Sequence, residues 1–73
     1  MDVADVRAEM SGILSRWTVA VGDPVAIGQE IGVLESMKME IPIVSPVAGS
    51  VGELRAAAGG FVQEGDTLAV VQS

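Results

Sequence analysis

Shifted by 37 positions, this sequence lies on itself without a gap. Gly12 falls on Gly49, Gly22 on Gly59 and Gly28 on Gly65. The apolar positions follow the glycines: Leu14 falls on Val51, Trp17 on Leu54, Val19 on Ala56 and Val25 on Val62. Ile31, Val33 and Leu34 fall on Leu68, Val70 and Val71 in the same register. A half of this size is too short to bury a core of its own, so the two halves must share one. The repeat therefore predicts a single domain over 1–73, with halves at about 6–35 and 43–72 related by an approximate two-fold axis.

Each half reads as strands. Residues 12–21 and 49–58 are rich in Val, Leu and Ala, alternate at short period and are bounded by glycines. The step from Leu14 to Trp17, and from Val51 to Leu54, is three residues where strict alternation wants two, which predicts a bulge. Gly22-Asp23 and Gly59-Gly60 are expected turns, because glycine reaches backbone angles that strain other residues. Short strands at Val25 and Val62 follow, then turns at Gly28 and Gly65, then strands at 30–36 and 67–72. With Val3–Glu9 and Met39–Val44 as lead-in strands, each half has about four. Pro42 and Pro46 suit an edge or a strand end. No window has a helical period. The expected fold class is all-β: a flattened barrel or sandwich of two roughly four-stranded antiparallel sheets.

The repeat also isolates one residue. Lys38 is the only lysine, and its mates would be position 1 and a position just past the last residue. A two-fold relation then puts the turn bearing Lys38 at the opposite end of the domain from the termini.

Composition removes several chemistries. There is no cysteine and no histidine, which excludes disulfides, thiolate chemistry, imidazole bases and the usual zinc sites. The carboxylates lack the spacing of a metal loop, so no metal is expected. Ten acidic residues against four basic ones leave a net charge of −6. Nucleic acid and anionic membranes are therefore poor partners, and a basic cleft on another protein is a good one. The start of the chain has neither the basic residues nor the apolar run of a signal peptide, and cytoplasmic residence is expected.

Leu34-Glu35-Ser36-Met37-Lys38-Met39-Glu40-Ile41 joins the halves. The strands on either side must reverse, although no Asn-Gly signal is present. This puts Met37 and Lys38 at the tip of a hairpin over 36–42. Two thioethers bracketing a lone amine at a tip are unusual, since methionine is ordinarily a core residue. One of the two is expected to pack partly on the hairpin, and Trp17 to lie in the core or at its rim.

At this point the chain resembles a known family, the biotinyl/lipoyl attachment domains. Glu35-Ser36-Met37-Lys38-Met39 is similar to the biotin-attachment motif, which usually has alanine where this chain has Ser36. Gly22-Asp23-x-Val25-x-x-Gly28 before the lysine, and Gly49-x-Val51 with Val62-x-x-Gly65-Asp66 after it, match the family frame. The resemblance runs from about Val6 to Val71 and is nearest to stand-alone biotin carboxyl carrier (biotin/lipoyl attachment) proteins. The even spacing of glycines leaves no room for the protruding thumb of some bacterial carriers. Gly59-Gly60 stands where the family usually has Gly-Asp, a departure expected to act on local stability.

The resemblance implies that Lys38 takes biotin covalently from a biotin protein ligase. The modified domain would then carry carboxyl groups between biotin carboxylase and carboxyltransferase sites. It would be a monomeric carrier and a substrate of the ligase, not an enzyme. A solvated amine of the lysine type is overwhelmingly protonated at neutral pH, so the ligase must supply deprotonation and alignment. The carrier supplies presentation. Met37 and Met39 would offer the ligase a soft apolar contact, and Glu35 and Glu40, flanking Ser36 and the tip, would steer it by charge. Two other readings remain: a lipoyl carrier, whose tip usually reads Asp-Lys-Ala, or a dual acceptor; and an unmodified structural module of the same fold. A Ser36–Lys38 catalytic pair is rejected, because it needs a buried lysine.

Overall fold

The computed structural model describes residues 2–73, and within them every regular element is a strand. The first half contributes β1 (Val3–Arg7), β2 (Gly12–Trp17), β3 (Pro24–Val25) and β4 (Glu30–Ser36). The second contributes β5 (Met39–Val44), β6 (Gly49–Leu54), β7 (Phe61–Val62) and β8 (Thr67–Gln72). They form two antiparallel sheets of four, ordered β1-β8-β6-β3 and β5-β4-β2-β7. Among the described residues no pairing joins the two sheets, so the flattened sandwich is realised without a closed barrel.

The 37-residue repeat maps one sheet onto the other, strand for strand. Leu14 pairs with Leu34 and Val51 with Val71; Trp17 pairs with Gly32 and Leu54 with Ala69. The expected bulges fall at the same place in both halves, between Leu14 and Arg16 and between Val51 and Glu53. Even the loop hydrogen bonds repeat: Gly28 N–H donates to Ser45 O, and Gly65 N–H to Ala8 O.

Alternation at each strand sends Leu14, Ile31, Leu34, Val51, Leu68 and Val71 into one shared core, where each is at most 2% exposed. Burying a side chain of this kind contributes about 1.5–3 kcal/mol. Trp17 lies at the rim, half-buried, with its ring over Gly32 and Nε1–H donating to Ala56 O at 2.9 Å. A Cβ at Gly32 would lie 2.8 Å from that ring, so the Trp17–Gly32 pair replaces the Leu54–Ala69 pair of the other half by exchanging volume between partners.

Three strands are shorter than their sequence patterns predict. The strands read over 12–21 and 49–58 end at Trp17 and Leu54, and β1 ends at Arg7 instead of Glu9. Val19 and Ala56 still pack against the core, but from arches that have left the ladder. Ala20 N–H donates to the Asp23 carboxylate at 2.9 Å, so the chain is already turning there. Gly60, the mate of Asp23, has no side chain for this bond. Pro42 lies within β5, where it is tolerated because β5 is an edge strand.

The body measures 36 × 18 × 17 Å. Asp2 and Ser73 close one end of the β1–β8 ladder, where Ser73 N–H donates to Asp2 O at 2.9 Å. Beyond the other end of that ladder, Ser11 accepts from Glu64 N–H and also accepts from Ser36, next to the turn of the β4–β5 hairpin. The hairpin and the termini therefore occupy opposite ends. Met1, the repeat mate of Lys38, lies outside the described residues.

Candidate functional site

Strands β4 and β5 run in unbroken register from Gly32–Ile43 to Ser36–Met39, and the link between them is only Met37-Lys38. A two-residue hairpin demands central backbone angles that match the right-handed twist of its strands, with φ positive at both residues. Met37 has φ 52° and Lys38 φ 67°; among the described residues no other non-glycine residue has positive φ. Asn-Gly would meet this demand at little strain. Here two ordinary L-residues are held in the left-handed region, each at about 1–2 kcal/mol. The surrounding ladder holds them there.

That ladder is anchored just below the turn. Ser36 Oγ–H donates to Ser11 O at 2.8 Å, joining the hairpin to the β1–β2 connection. Gly12 allows the close approach, for a Cβ there would lie 2.4 Å from Glu35 O. Ser36, where the family usually has alanine, thus contributes a bond of its own.

The side chains at the tip point away from the body. Met37 is 92% exposed and Met39 64% exposed, so Met39 is the more covered of the two. Lys38 is exposed between them. Neither of the two best-formed surface concavities includes Met37, Lys38 or Met39. An exposed amine on a hairpin tip fits a group held by a covalent tether. A serine–lysine catalytic pair is ruled out by this exposure and by the bond that commits Ser36 to Ser11.

Glu35 and Glu40 are exposed and stand directly opposite each other across β4 and β5. Like charges in that relation oppose sheet formation. Arg16, on the neighbouring β2, offsets part of this: its Nη1 lies 3.4 Å from Glu40 Oε2. Both groups are well exposed, so the pair is worth under about 1 kcal/mol. Among the described residues Glu35 has no side-chain ion pair. Sequence reasoning missed Ser11 and Arg16, which brace the hairpin from 25 and 24 residues away; only the β2–β4 register could have pointed to them. Among the described residues no group of acidic side chains is placed to hold a metal ion.

A domain with these two sheets and a lone lysine on the connecting tip has the form of a carrier. Comparison with known proteins agrees. The family model described as "Biotin-requiring enzyme" matches residues 3–71. The chain is 49% identical over 63 residues to the "Biotin/lipoyl attachment protein" of Bacillus subtilis, covering 86% of each chain. It is 42% identical over 67 residues to the "Biotinylated protein TB7.3 homolog" of Mycobacterium leprae, covering 92% of this chain and 94% of that one. In structure it is similar to part of the urea carboxylase of Kluyveromyces lactis, with TM-score 0.93 and 29% identity over 99% of this chain and 6% of that one. The chain belongs to the biotin/lipoyl attachment family. Within it, this is a biotin carboxyl carrier domain, a carrier and not a catalyst.

Proposed function

We propose that Lys38 is the point of biotin attachment and that a biotin protein ligase is the enzyme that modifies it. The observation that carries this reading is the turn. The chain's only lysine is the second of two non-glycine residues held at positive φ on the tip of a two-residue hairpin. In the reaction, the neutral amine of Lys38 attacks the carbonyl of biotinyl-5′-AMP. A C–N amide bond forms, the mixed-anhydride C–O bond breaks, AMP leaves, and the amine proton passes to the ligase. The fixed tip removes backbone freedom that would otherwise have to be lost during the attack. Met37 and Met39 give the ligase exposed apolar contact on both sides of the amine. Glu35 and Glu40 present charge to a basic ligase face.

Once attached, biotin supplies the carboxyl-carrying group. The domain's part is then reach and local concentration. Lys38 projects from the end opposite Asp2 and Ser73, so a partner gripping the terminal end would leave the arm free. The reading includes biotin carboxylase and carboxyltransferase sites as the places the arm visits, and the cytoplasm as the compartment. A second reading, lipoate on the same lysine, is motivated by the similarity to the biotin/lipoyl attachment protein of Bacillus subtilis, whose name includes both groups.

Intact-mass measurement after co-expression with a biotin ligase, and separately with a lipoate-attaching enzyme, tests the two. A single biotin adduct is expected. A lipoyl adduct alone would replace this reading with the second, and no adduct from either enzyme would contradict both.

A further inference from the structure

Beside the tip, β2 and β7 expose two large apolar side chains that the fold itself does not need. Phe61 is 65% exposed and Ile13 is 41% exposed. They are direct cross-strand partners, and Ile13 is also paired with Glu35, which is paired with Glu40. Paired residues in an antiparallel ladder point to the same face. Phe61, Ile13, Glu35 and Glu40 thus form one row across the outside of the hairpin sheet, immediately below Met37-Lys38.

The repeat supplies an internal control. The mates of this row in the other sheet are Pro24, Ser50, Gln72 and Val3, joined by the same pairings. That row has no aromatic residue and no charge, yet it holds the same ladder. An exposed phenylalanine–isoleucine pair and an acidic pair only partly offset by Arg16 are therefore not conditions of the fold. They occur only at the end that bears the lysine.

We propose that the Ile13–Phe61 pair is an apolar seat for the enzyme that acylates Lys38, with Glu35 and Glu40 facing basic residues at the rim of that enzyme's cleft. This rests on the attachment reading above. The occupant follows from geometry. Before modification the amine reaches out only by the four-carbon lysine stem, so the acylating enzyme must press close to the body of the domain. After modification the long arm lets later partners stay further off. Strand spacing puts Phe61 about 12 Å across and about 7 Å down from the tip. An interface of about 800 Å² per partner, taken as a disc, extends about 16 Å from its centre. A surface centred on Lys38 and of ordinary size thus covers Ile13 and Phe61. The acidic character of the row and of the chain selects a basic partner.

The test is steady-state biotinylation of the 73-residue protein by a biotin protein ligase with biotin and ATP. The double variant Ile13→Thr/Phe61→Thr keeps β propensity and removes the apolar surface. It is expected to lower kcat/KM about tenfold or more, mainly through KM. Val3→Thr, at the mate of Glu40, is expected to leave kcat/KM unchanged. Should the double variant unfold, amide NMR shifts of the wild-type domain on adding ligase decide: Ile13 and Phe61 should move, and Ser50, the mate of Ile13, should not. An unchanged kcat/KM in a folded double variant, or shifts confined to the hairpin, would overturn the proposal while leaving Lys38 as the attachment point. No biotin on the wild type would overturn both.

Discussion

At one end of the domain Ser36 and Met39 are bridged by Met37 and Lys38; at the other their mates, Ser73 and Asp2, are tied only by hydrogen bonds, from Ser73 N–H at 2.9 Å and Ser73 Oγ–H at 3.3 Å to Asp2 O. Up to that point the two ends share register, bulge positions and core partners. The differences lie beyond the shared ladder. The hairpin end has two residues at positive φ without glycine, two carboxylates in direct opposition, and two exposed thioethers. Each of these works against stability, and the terminal end does without all of them. What the halves have in common is therefore what folding needs, and what only the hairpin end has is there for Lys38.

This comparison can be broken or sharpened by substitution. Leu14→Ala acts on the shared part. Leu14 is fully buried, and its truncation should cost about 2–5 kcal/mol. The urea midpoint should fall accordingly, and the tip should lose its order together with the terminal end. Replacing Met37-Lys38 by Asn-Gly acts on the unshared part. It removes the positive-φ strain and should raise stability by about 1–3 kcal/mol while abolishing attachment. A folded Asn-Gly variant no more stable than the wild type would deny that the tip is strained.

Ser36→Ala deletes the bond to Ser11 and should cost about 0.5–1.5 kcal/mol in thermal unfolding, with biotin still attached. Smallest of all, Glu35→Gln relieves the opposition to Glu40 and should stabilise by about 0.2–1 kcal/mol, less at high salt. The matching change at the other end, Gln72→Glu, creates no such opposition, since its partner is Val3, and should leave stability nearly unchanged.

Most of the fold was legible because the repeat states its information twice. A bulge inferred from Leu14–Trp17 alone would be a guess; the same offset at Val51–Leu54 makes it a rule of the architecture. The ends of β2 and β6 were not legible, because Val19 and Ala56 continue the apolar pattern after the hydrogen-bonded ladder has stopped. Burial and ladder pairing diverge in those arches, and sequence periodicity reports burial. At the site, the position of Lys38 on a tip was legible from its place at the repeat junction. The turn geometry was not, since neither methionine nor lysine favours positive φ and the ladder alone imposes it. Ser36–Ser11 and Arg16–Glu40 were hidden for another reason: each joins residues far apart in sequence whose meeting depends on the β2–β4 register.

The most direct test is a paired readout on Lys38→Arg: intact mass after incubation with biotin ligase, biotin and ATP, alongside the thermal unfolding midpoint. The wild type should gain one biotin, and the variant none, with its midpoint shifted by no more than a change of about 0.5 kcal/mol in unfolding free energy would produce. A biotin adduct on the variant, or none on the wild type, would contradict the claim that this end of the domain is built around Lys38.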